Sequence, residues 1–369
     1  MSLPAVILVG GQGTRLRPLT DRTRKDMLPL VDRPLLAYTF EHLQRHGVER
    51  AVLSCGYLPT QLEDFFGDEW SGFRLEYRVE AEPLGTGGAV RFAAEGIGES
   101  FYAVNGDSLR EADLGALADF HHERGAKATI LLTPVADPTR YGLVRLAGDG
   151  KVKRFLEKPR PEEIDTNLIN AGVYVLEPEV LDLIPPDRPV SIEREVFPQL
   201  VEQGACYGLA LDGYWLDVGT PESYLQAHRD VLERNFETEV GDLLGRDYTY
   251  ADADAAVEAE ARLVPPVYVG GSVAAGARIG SVATIGRGAT VAAGALVENA
   301  VIGPGARIGR GAVVVDSIVG ADAVVGEECA VRGMSIVGPG ARIGARNTLD
   351  GGIRVAADAV IPDGALTFA

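Results

Sequence analysis

At 369 residues the chain is too long for one ordinary domain and long enough for two or three, each able to bury a core. Its 46 % hydrophobic and 24 % charged content excludes a disordered chain, and no apolar run reaches the roughly 20 residues that a membrane helix needs. A formal net charge of −18 argues against general nucleic-acid binding, because a polyanion is repelled except at a strongly basic patch; a small anion can still be held at a local cluster of cations.

The opening Met-Ser-Leu-Pro runs straight into an apolar stretch with no basic leader or cleavage site, which predicts no export signal and a cytoplasmic location. Cys55, Cys206 and Cys329 are too far apart for a disulfide framework or a paired zinc site and are expected to be buried or incidental. The first predicted element is a buried strand over Ala5-Val6-Ile7-Leu8-Val9. It empties into Gly10-Gly11-Gln12-Gly13-Thr14-Arg15-Leu16-Arg17-Pro18-Leu19-Thr20, followed by Lys25-Asp26-Met27-Leu28. Glycines at a strand end let an anion approach peptide N–H groups, and Arg15 and Lys25 add full charges. Between Arg15 and Lys25 stand five cations, Arg15, Arg17, Arg22, Arg24 and Lys25, against the single acid Asp21. The spacing is neither the dinucleotide fingerprint nor the Walker loop.

Further along, the apolar spacing predicts a helix over 34–46 closed by Gly47, a strand at 51–53, a helix over 59–66, a strand over 74–79, a helix over 86–94 and a strand over 101–104. Strands alternating with helices predict an α/β domain with a Rossmann-like, mostly parallel sheet, whose ligands bind beyond the strand carboxyl ends. Candidate residues recur at those ends. Glu82-Pro83-Leu84-Gly85-Thr86-Gly87-Gly88-Ala89 is a tight entry into a helix; a plain helix start reads the same way, but a carboxylate there can accept the N–H donors of guanine. Asp107 ends an apolar strand, and Asp217 lies in Trp215-Leu216-Asp217-Val218-Gly219-Thr220 before a helix starting near Pro221. Two strand-end carboxylates can share one Mg²⁺, which prefers a few hard oxygens completed by water and phosphate.

From about Asp230 to Val264 the chain turns acidic and alanine-rich, as in a linker. A hexad then repeats: Val267, Val273, Ile279, Ile285, Val291 and Val297, then Ile302, Ile308 and Val314, then Val319, Val325, Val331, Val337, Ile343, Leu349, Val355 and Ile361. Small residues between these aliphatics predict a parallel β-helix with a narrow core, resembling the left-handed hexapeptide-repeat helix. The expected divisions are 1–232, a linker or packing segment over 233–264, and the β-helix over 265–369. Hexapeptide helices also occur in acyltransferases, but His42, His46, His121, His122 and His228 all precede the repeat and no long loop interrupts it. Its flat stacked sides and open ends are expected to pack against a copy of itself, giving a homo-oligomer, or against the catalytic domain.

The glycine-rich string closely resembles the signature of the nucleoside-diphosphate-sugar pyrophosphorylases, the sugar-1-phosphate nucleotidyltransferases: GGxGTRLxPLT, a short spacer, then lysine before Met-Leu-Pro. Arg24 and Asp26 stand where that family usually has prolines, which puts the approach of Lys25 in question. The resemblance covers nearly the whole chain and implies nucleotide contacts from Leu8, Gly10, Gly11, Gly13, Thr14, Glu82 and Gly87. It implies sugar-phosphate contacts from Gly142, Glu157, Lys158, Asn170 and Gly172, and a metal, Mg²⁺, on Asp107 and Asp217. Arg15, Lys25 and Asp107 take the catalytic roles: Arg15 steadies departing pyrophosphate, Lys25 the transferring phosphate, and Asp107 the metal. The PLGT stretch is closest to the guanylyl-transferring branch, which points to GTP and mannose 1-phosphate. Glucose 1-phosphate with dTTP or UTP is the alternative, and a catalytically silent nucleotide-sugar sensor a more distant one.

Overall fold

The computed structural model describes residues 3–56, 58–186 and 188–367. Contacts divide the chain into two compact units, Met1–Gly11 with Leu36–Trp215, and Gln12–Leu35 with Leu216–Ala369. Among the described residues no helix is long and apolar enough to cross a membrane.

The first unit is built on a ten-stranded sheet. Strand Ala5–Val9 lies at its middle, parallel to Arg50–Cys55 on one side and Phe101–Asn105 on the other; Arg50–Cys55 in turn pairs in parallel with Phe73–Val79. All five residues of Ala51–Cys55 and four of Ala5–Val9 are buried, as a central strand covered on both faces requires. Helices Leu35–Arg45, Thr60–Phe66 and Gly85–Ala93 fall within one or two residues of their predicted spans. Helix Leu114–Arg124 begins where the Asp113 carboxylate accepts the Ala116 N–H and ends at Gly125, whose φ of 54° few other residues adopt readily.

Antiparallel strands extend the other half of the sheet. Leu168–Leu176 pairs with Phe101–Asn105 through its second half, with Gly142–Leu146 at Ile169, and with Ala128–Pro134 in a register that shifts between Asn170 and Tyr174. That irregularity turns the backbone at Ala171-Gly172 out of the ladder.

The second unit contains three parallel sheets of seven, seven and six short strands, consistent with a left-handed β-helix. Its core is a stack of Val, Ile and Leu with alanines packed beside them, such as Ala289 beside Val291 and Ala306 beside Ile308. Two details differ from the sequence reading. The ladder starts at Thr249–Ala251, inside the segment read as a linker or packing segment and before the expected boundary at 265, because a first coil can turn on small residues such as Asp254 and Ala255 while still pairing with the next. Val269, not Val267, aligns with Ile285, although both valines are buried. Cys55, Cys206 and Cys329 are free and buried.

One sheet of the β-helix differs from the other two. Its outward-facing Tyr268, Thr284, Val301, Ile318 and Ile336 are all buried. Within the same unit, Leu19, Leu28, Pro29 and Val31 of the glycine-rich segment, with Tyr224 and His228 of helix Pro221–Leu232, lie against that face around a small cavity of ≈ 60 Å³. His228 joins the layers. Burial pushes its pKa down to about 3, so the ring is neutral. The Pro29 carbonyl can only accept, so Nε2 carries the hydrogen and donates to it at 3.2 Å, leaving Nδ1 to accept from the Thr284 hydroxyl at 2.9 Å. The Tyr224 hydroxyl donates to the same carbonyl.

This neutral histidine makes stability depend on pH. Between about pH 6.5 and pH 3 the unfolded chain takes up a proton at His228 that the folded chain refuses, so stability falls as pH drops through that window. His42, pushed down to about 2 mainly by burial, acts in the same direction. The thermal midpoint should fall between pH 7 and pH 4, and less steeply in His228→Gln, which circular dichroism melts would read.

Candidate active site

In the sheet unit the candidate residues gather at one edge. Leu8 pairs with Asn105, and the Gly106 N–H donates to the Leu8 carbonyl at 3.0 Å. The Gly10-Gly11 loop and Asp107 therefore leave neighbouring parallel strands side by side. Beneath Asp107, the buried guanidinium of Arg110 donates to the Asn105 carbonyl and the Ser108 hydroxyl, both at 2.5 Å. Burial lowers the Arg110 pKa to about 10, with the charge of Asp107 opposing the shift.

The next strand end differs in detail from the sequence reading. Glu82 is exposed, whereas Glu80, two residues earlier, is half-buried and held by the Ser54 hydroxyl at 2.9 Å and the Leu84 N–H at 3.0 Å. One Glu80 oxygen lies 3.9 Å from where a Gly10 Cβ would be. Glu80 and Glu82 both border a cleft of ≈ 640 Å³ that also includes Leu84, Gly88 and Arg91. The Gly87 N–H is committed to the Val190 carbonyl at 2.8 Å, so this glycine fastens the helix start to a distant segment and has no free amide to offer a ligand.

The sugar-side candidates lie on adjoining strands. Gly142 pairs with Glu157, and a Cβ on Gly142 would sit 3.0 Å from a Glu157 oxygen. Burial, then the charge of Glu193, raises the Glu157 pKa, with Lys158 and Arg194 opposing. Lys158 is exposed, on a backbone with φ of 53° that a lysine adopts only at a cost. Asn170 donates to the Tyr174 hydroxyl at 2.8 Å and accepts the Gly172 N–H at 2.9 Å. Gly172 has φ of 74°, and a Cβ there would lie 2.7 Å from Asn105 Nδ2. The Trp215 indole N–H donates to the Ala171 carbonyl at 3.0 Å, fixing the same turn.

In the repeat unit, a turn of 3-10 helix over Thr14–Leu16 buries Leu16 and leaves Arg15 exposed. Gly13 before it has φ of 60°, and its carbonyl accepts the Thr20 hydroxyl at 2.9 Å. Lys25 is buried on a second such turn, Lys25–Met27, with Nζ 3.3 Å from Asp217 Oδ1; Arg15 Nη2 is 3.7 Å from Asp217 Oδ2. Asp217 thus lies between two cations. A Cβ on Gly219 would come within 2.6 Å of Arg15 Nη2 and 2.8 Å of Asp217 Oδ2, so a side chain there would shift this pairing. Thr220 and Ser223 cap the following helix, and the Ser223 hydroxyl accepts the N–H groups of Gly219 and Thr220 at 3.0 Å each.

Arg24 and Asp26, where the resembled family has prolines, form a buried two-pronged ion pair with both contacts at 2.9 Å. The pair closes over the Lys25 backbone, so its carboxylate and guanidinium restrain the turn that prolines would otherwise stiffen.

Sequence reasoning did not single out Glu80, Asn105, Arg110 or Glu193. Glu80 has a local signal, since it directly follows the strand Phe73–Val79. Glu193 has none: besides the nearby Ser191 hydroxyl at 2.7 Å, it accepts from Thr86 at 2.6 Å across a sequence gap that only the tertiary fold closes.

The sequence model described as "Nucleotidyl transferase" matches residues 4–234, and that described as "GMPPB C-terminal domain" matches residues 263–361. The chain is similar to "Mannose-1-phosphate guanylyltransferase" of Mycobacterium tuberculosis, 43% identical over 232 residues, 62% of this chain and 64% of the relative. It is similar to "Mannose-1-phosphate guanyltransferase" of Saccharomyces cerevisiae, 40% identical over 230 residues, 60% of this chain and 63% of the relative. The matched region spans a little under two thirds of these relatives. Among solved structures it resembles HddC from Yersinia pseudotuberculosis complexed with GMP-PN, with TM-score 0.53 and 31% identity over 61% of this chain and 97% of that one. A putative glucose-1-phosphate thymidylyltransferase from Bacillus anthracis shares the fold, with TM-score 0.57 and 23% identity over 64% of this chain and 97% of that one.

Two substitutions test the local geometry. Gly172→Ala should destabilise the protein by about 1–3 kcal/mol through left-handed strain and the Asn105 clash. Asp26→Ala should cost roughly 3–5 kcal/mol, because removing one partner strands a buried charge. Urea unfolding of each variant against the parent measures both.

Proposed function

The chain belongs to the nucleotidyl transferase family, and from that premise we propose that it transfers the guanylyl group of GTP to mannose 1-phosphate, giving GDP-mannose and pyrophosphate. The observation that carries the reading is the Arg15, Lys25 and Asp217 cluster, two cations of the glycine-rich segment gathered on one carboxylate. The names of the similar guanylyltransferases and the GMP-PN complex of a structural neighbour support the choice of base and sugar.

The sugar phosphate is already a nucleophile, so no covalent enzyme intermediate is needed. One of its oxygens attacks the α-phosphorus in line, forming a new P–O bond as the bond to the β-phosphate oxygen breaks and pyrophosphate leaves with that electron pair. The protein's task is alignment and charge. Lys25 steadies the transferring phosphate, Arg15 the departing pyrophosphate, and Lys158 the incoming sugar phosphate. Without substrate, Asp217 balances Lys25 and Arg15; an arriving triphosphate offers those cations stronger anionic partners and frees the carboxylate. Leu8, Gly10, Gly11, Gly13 and Thr14 shape the nucleotide cradle, and Gly142, Glu157, Asn170 and Gly172 the sugar pocket. Guanine's N1–H and amino donors meet a carboxylate, Glu80 being the ordered one and Glu82 the exposed one.

Among the described residues no three His, Cys, Asp or Glu side chains converge as a metal cage. The two hard-oxygen donors, Asp107 and Asp217, suit Mg²⁺, whose remaining positions phosphate and water fill. Held there, the ion would offset charge on the triphosphate.

Pyrophosphate release should require Mg²⁺ and be fastest with GTP and mannose 1-phosphate, in a panel of GTP, dTTP, UTP, ATP and CTP against mannose and glucose 1-phosphates. Release with a pyrimidine triphosphate instead would overturn the base assignment. Lys25→Ala should lower kcat about 10²–10³-fold, and an unchanged rate in Asp217→Ala would refute its metal role. Glu80→Gln should raise KM for GTP while leaving that for mannose 1-phosphate near the parent value.

A further inference from the structure

The glycine-rich segment lies against one sheet face of the β-helix, and the last outward position of that face is a charged one. Tyr268, Thr284, Val301, Ile318 and Ile336 form a buried floor, whereas the final strand of that sheet, Arg354–Val355, presents Arg354. Arg354 Nη1 donates to the Arg15 carbonyl at 3.3 Å and to the Arg17 carbonyl at 3.1 Å. Four residues on, Asp358 pairs with Arg22 of the same segment. The backbone bonds of the segment itself are short-range: Leu16 N–H to Gly13 at 2.9 Å, Arg17 N–H to Thr14 at 3.3 Å, Leu19 N–H to Leu16 at 3.0 Å and Asp21 N–H to Pro18 at 3.2 Å.

We propose that Arg354 is a positioning residue for the transfer reaction, holding the backbone of Arg15 so that its guanidinium is already aimed at the departing pyrophosphate. This rests on the guanylyl-transfer reading for its kinetic consequence but not for its structural one. A single guanidinium bridging two carbonyls on either side of Leu16 fixes the pitch of the Thr14–Leu16 turn, which is the only element carrying the exposed Arg15 side chain. An arginine held from behind loses less freedom when the transition state forms, so the gain lies in turnover and not in ground-state binding. The final coils of the β-helix are then part of the reacting enzyme, beyond any role in association.

The test compares Arg354→Ala, Arg354→Lys and Arg354→Met by steady-state kinetics in Mg²⁺ with GTP and mannose 1-phosphate, alongside thermal melts and hydrogen exchange of residues 13–19. The expected result for Arg354→Ala and Arg354→Met is a fall in kcat of about three- to tenfold. KM for mannose 1-phosphate should stay near the parent value, the melting midpoint should be nearly unchanged, and exchange over 13–19 should be faster. Arg354→Lys should recover part of kcat by reaching one carbonyl. An unchanged kcat in Arg354→Ala overturns the proposal, as does a loss confined to KM for GTP that Arg354→Lys fully restores, since that pattern marks a long-range charge effect. If the parent protein turns over no nucleotide, the guanylyl-transfer reading fails on its own, and hydrogen exchange still decides the claim: unaltered protection over 13–19 in Arg354→Ala overturns it.

Discussion

Crowding five cations into the eleven residues from Arg15 to Lys25 is unfavourable unless carboxylates stand among them, and the repeat unit is arranged around meeting that constraint. Asp217 lies between Lys25 and Arg15, Asp26 pairs with buried Arg24, Asp21 lies 3.5 Å from Arg17, and Asp358 pairs with Arg22. The partners differ in burial and therefore in what they contribute. The Arg24–Asp26 pair is closed off from water and fixes a backbone turn, whereas the exposed pairs are screened and easily exchanged for another anion. A phosphate-binding loop needs both kinds, a rigid base and cations that can change partner.

In the sheet unit side-chain hydrogen bonds to the backbone hold the edge. Parallel pairing of Ala5–Val9 with Phe101–Asn105 sets Gly10 and Asp107 beside each other, and the irregular turn in Leu168–Leu176 puts Gly172 against Asn105. Buried Arg110 holds the Asn105 carbonyl from below, and Asn170 and Trp215 secure the turn from either side. Each of these bonds engages a backbone group at a strand end or at the irregularity inside Leu168–Leu176, where the ladder is interrupted. The edge is therefore held by side chains, which gives it a defined shape before any ligand arrives.

The β-helix has three stacked faces but uses them unequally. Two carry polar or partly exposed outward residues, such as Arg278 and Arg307, while the third presents Tyr268, Val301, Ile318 and Ile336 as a floor for the glycine-rich segment and for helix Pro221–Leu232. His228 works only because it is neutral: one nitrogen donates to Pro29 and the other accepts from Thr284. A scaffold built from repeated short strands is stiff along its stack, which suits a surface that must hold a charged loop still.

Much of this was legible in the chain. Buried strands, helix ends at Gly47, the strand-end aspartates and the six-residue aliphatic period follow from local patterns, because side-chain direction in strands and helices is set by geometry over a few residues. The glycine-rich signature likewise encodes its own conformation, with left-handed Gly13 ahead of Arg15. Other features were decided only by tertiary structure. The ordered carboxylate by Gly10 is Glu80 because Ser54 and the Leu84 amide are there to hold it, and Gly87 is occupied because Val190 arrives from a hundred residues away. The first coil escaped the period because its turns are made of small acidic and alanine residues whose strand role appears only when the next coil stacks on them. Spacing along the chain determines which groups can face the same way; which of them find a partner depends on long-range contacts that no local pattern records.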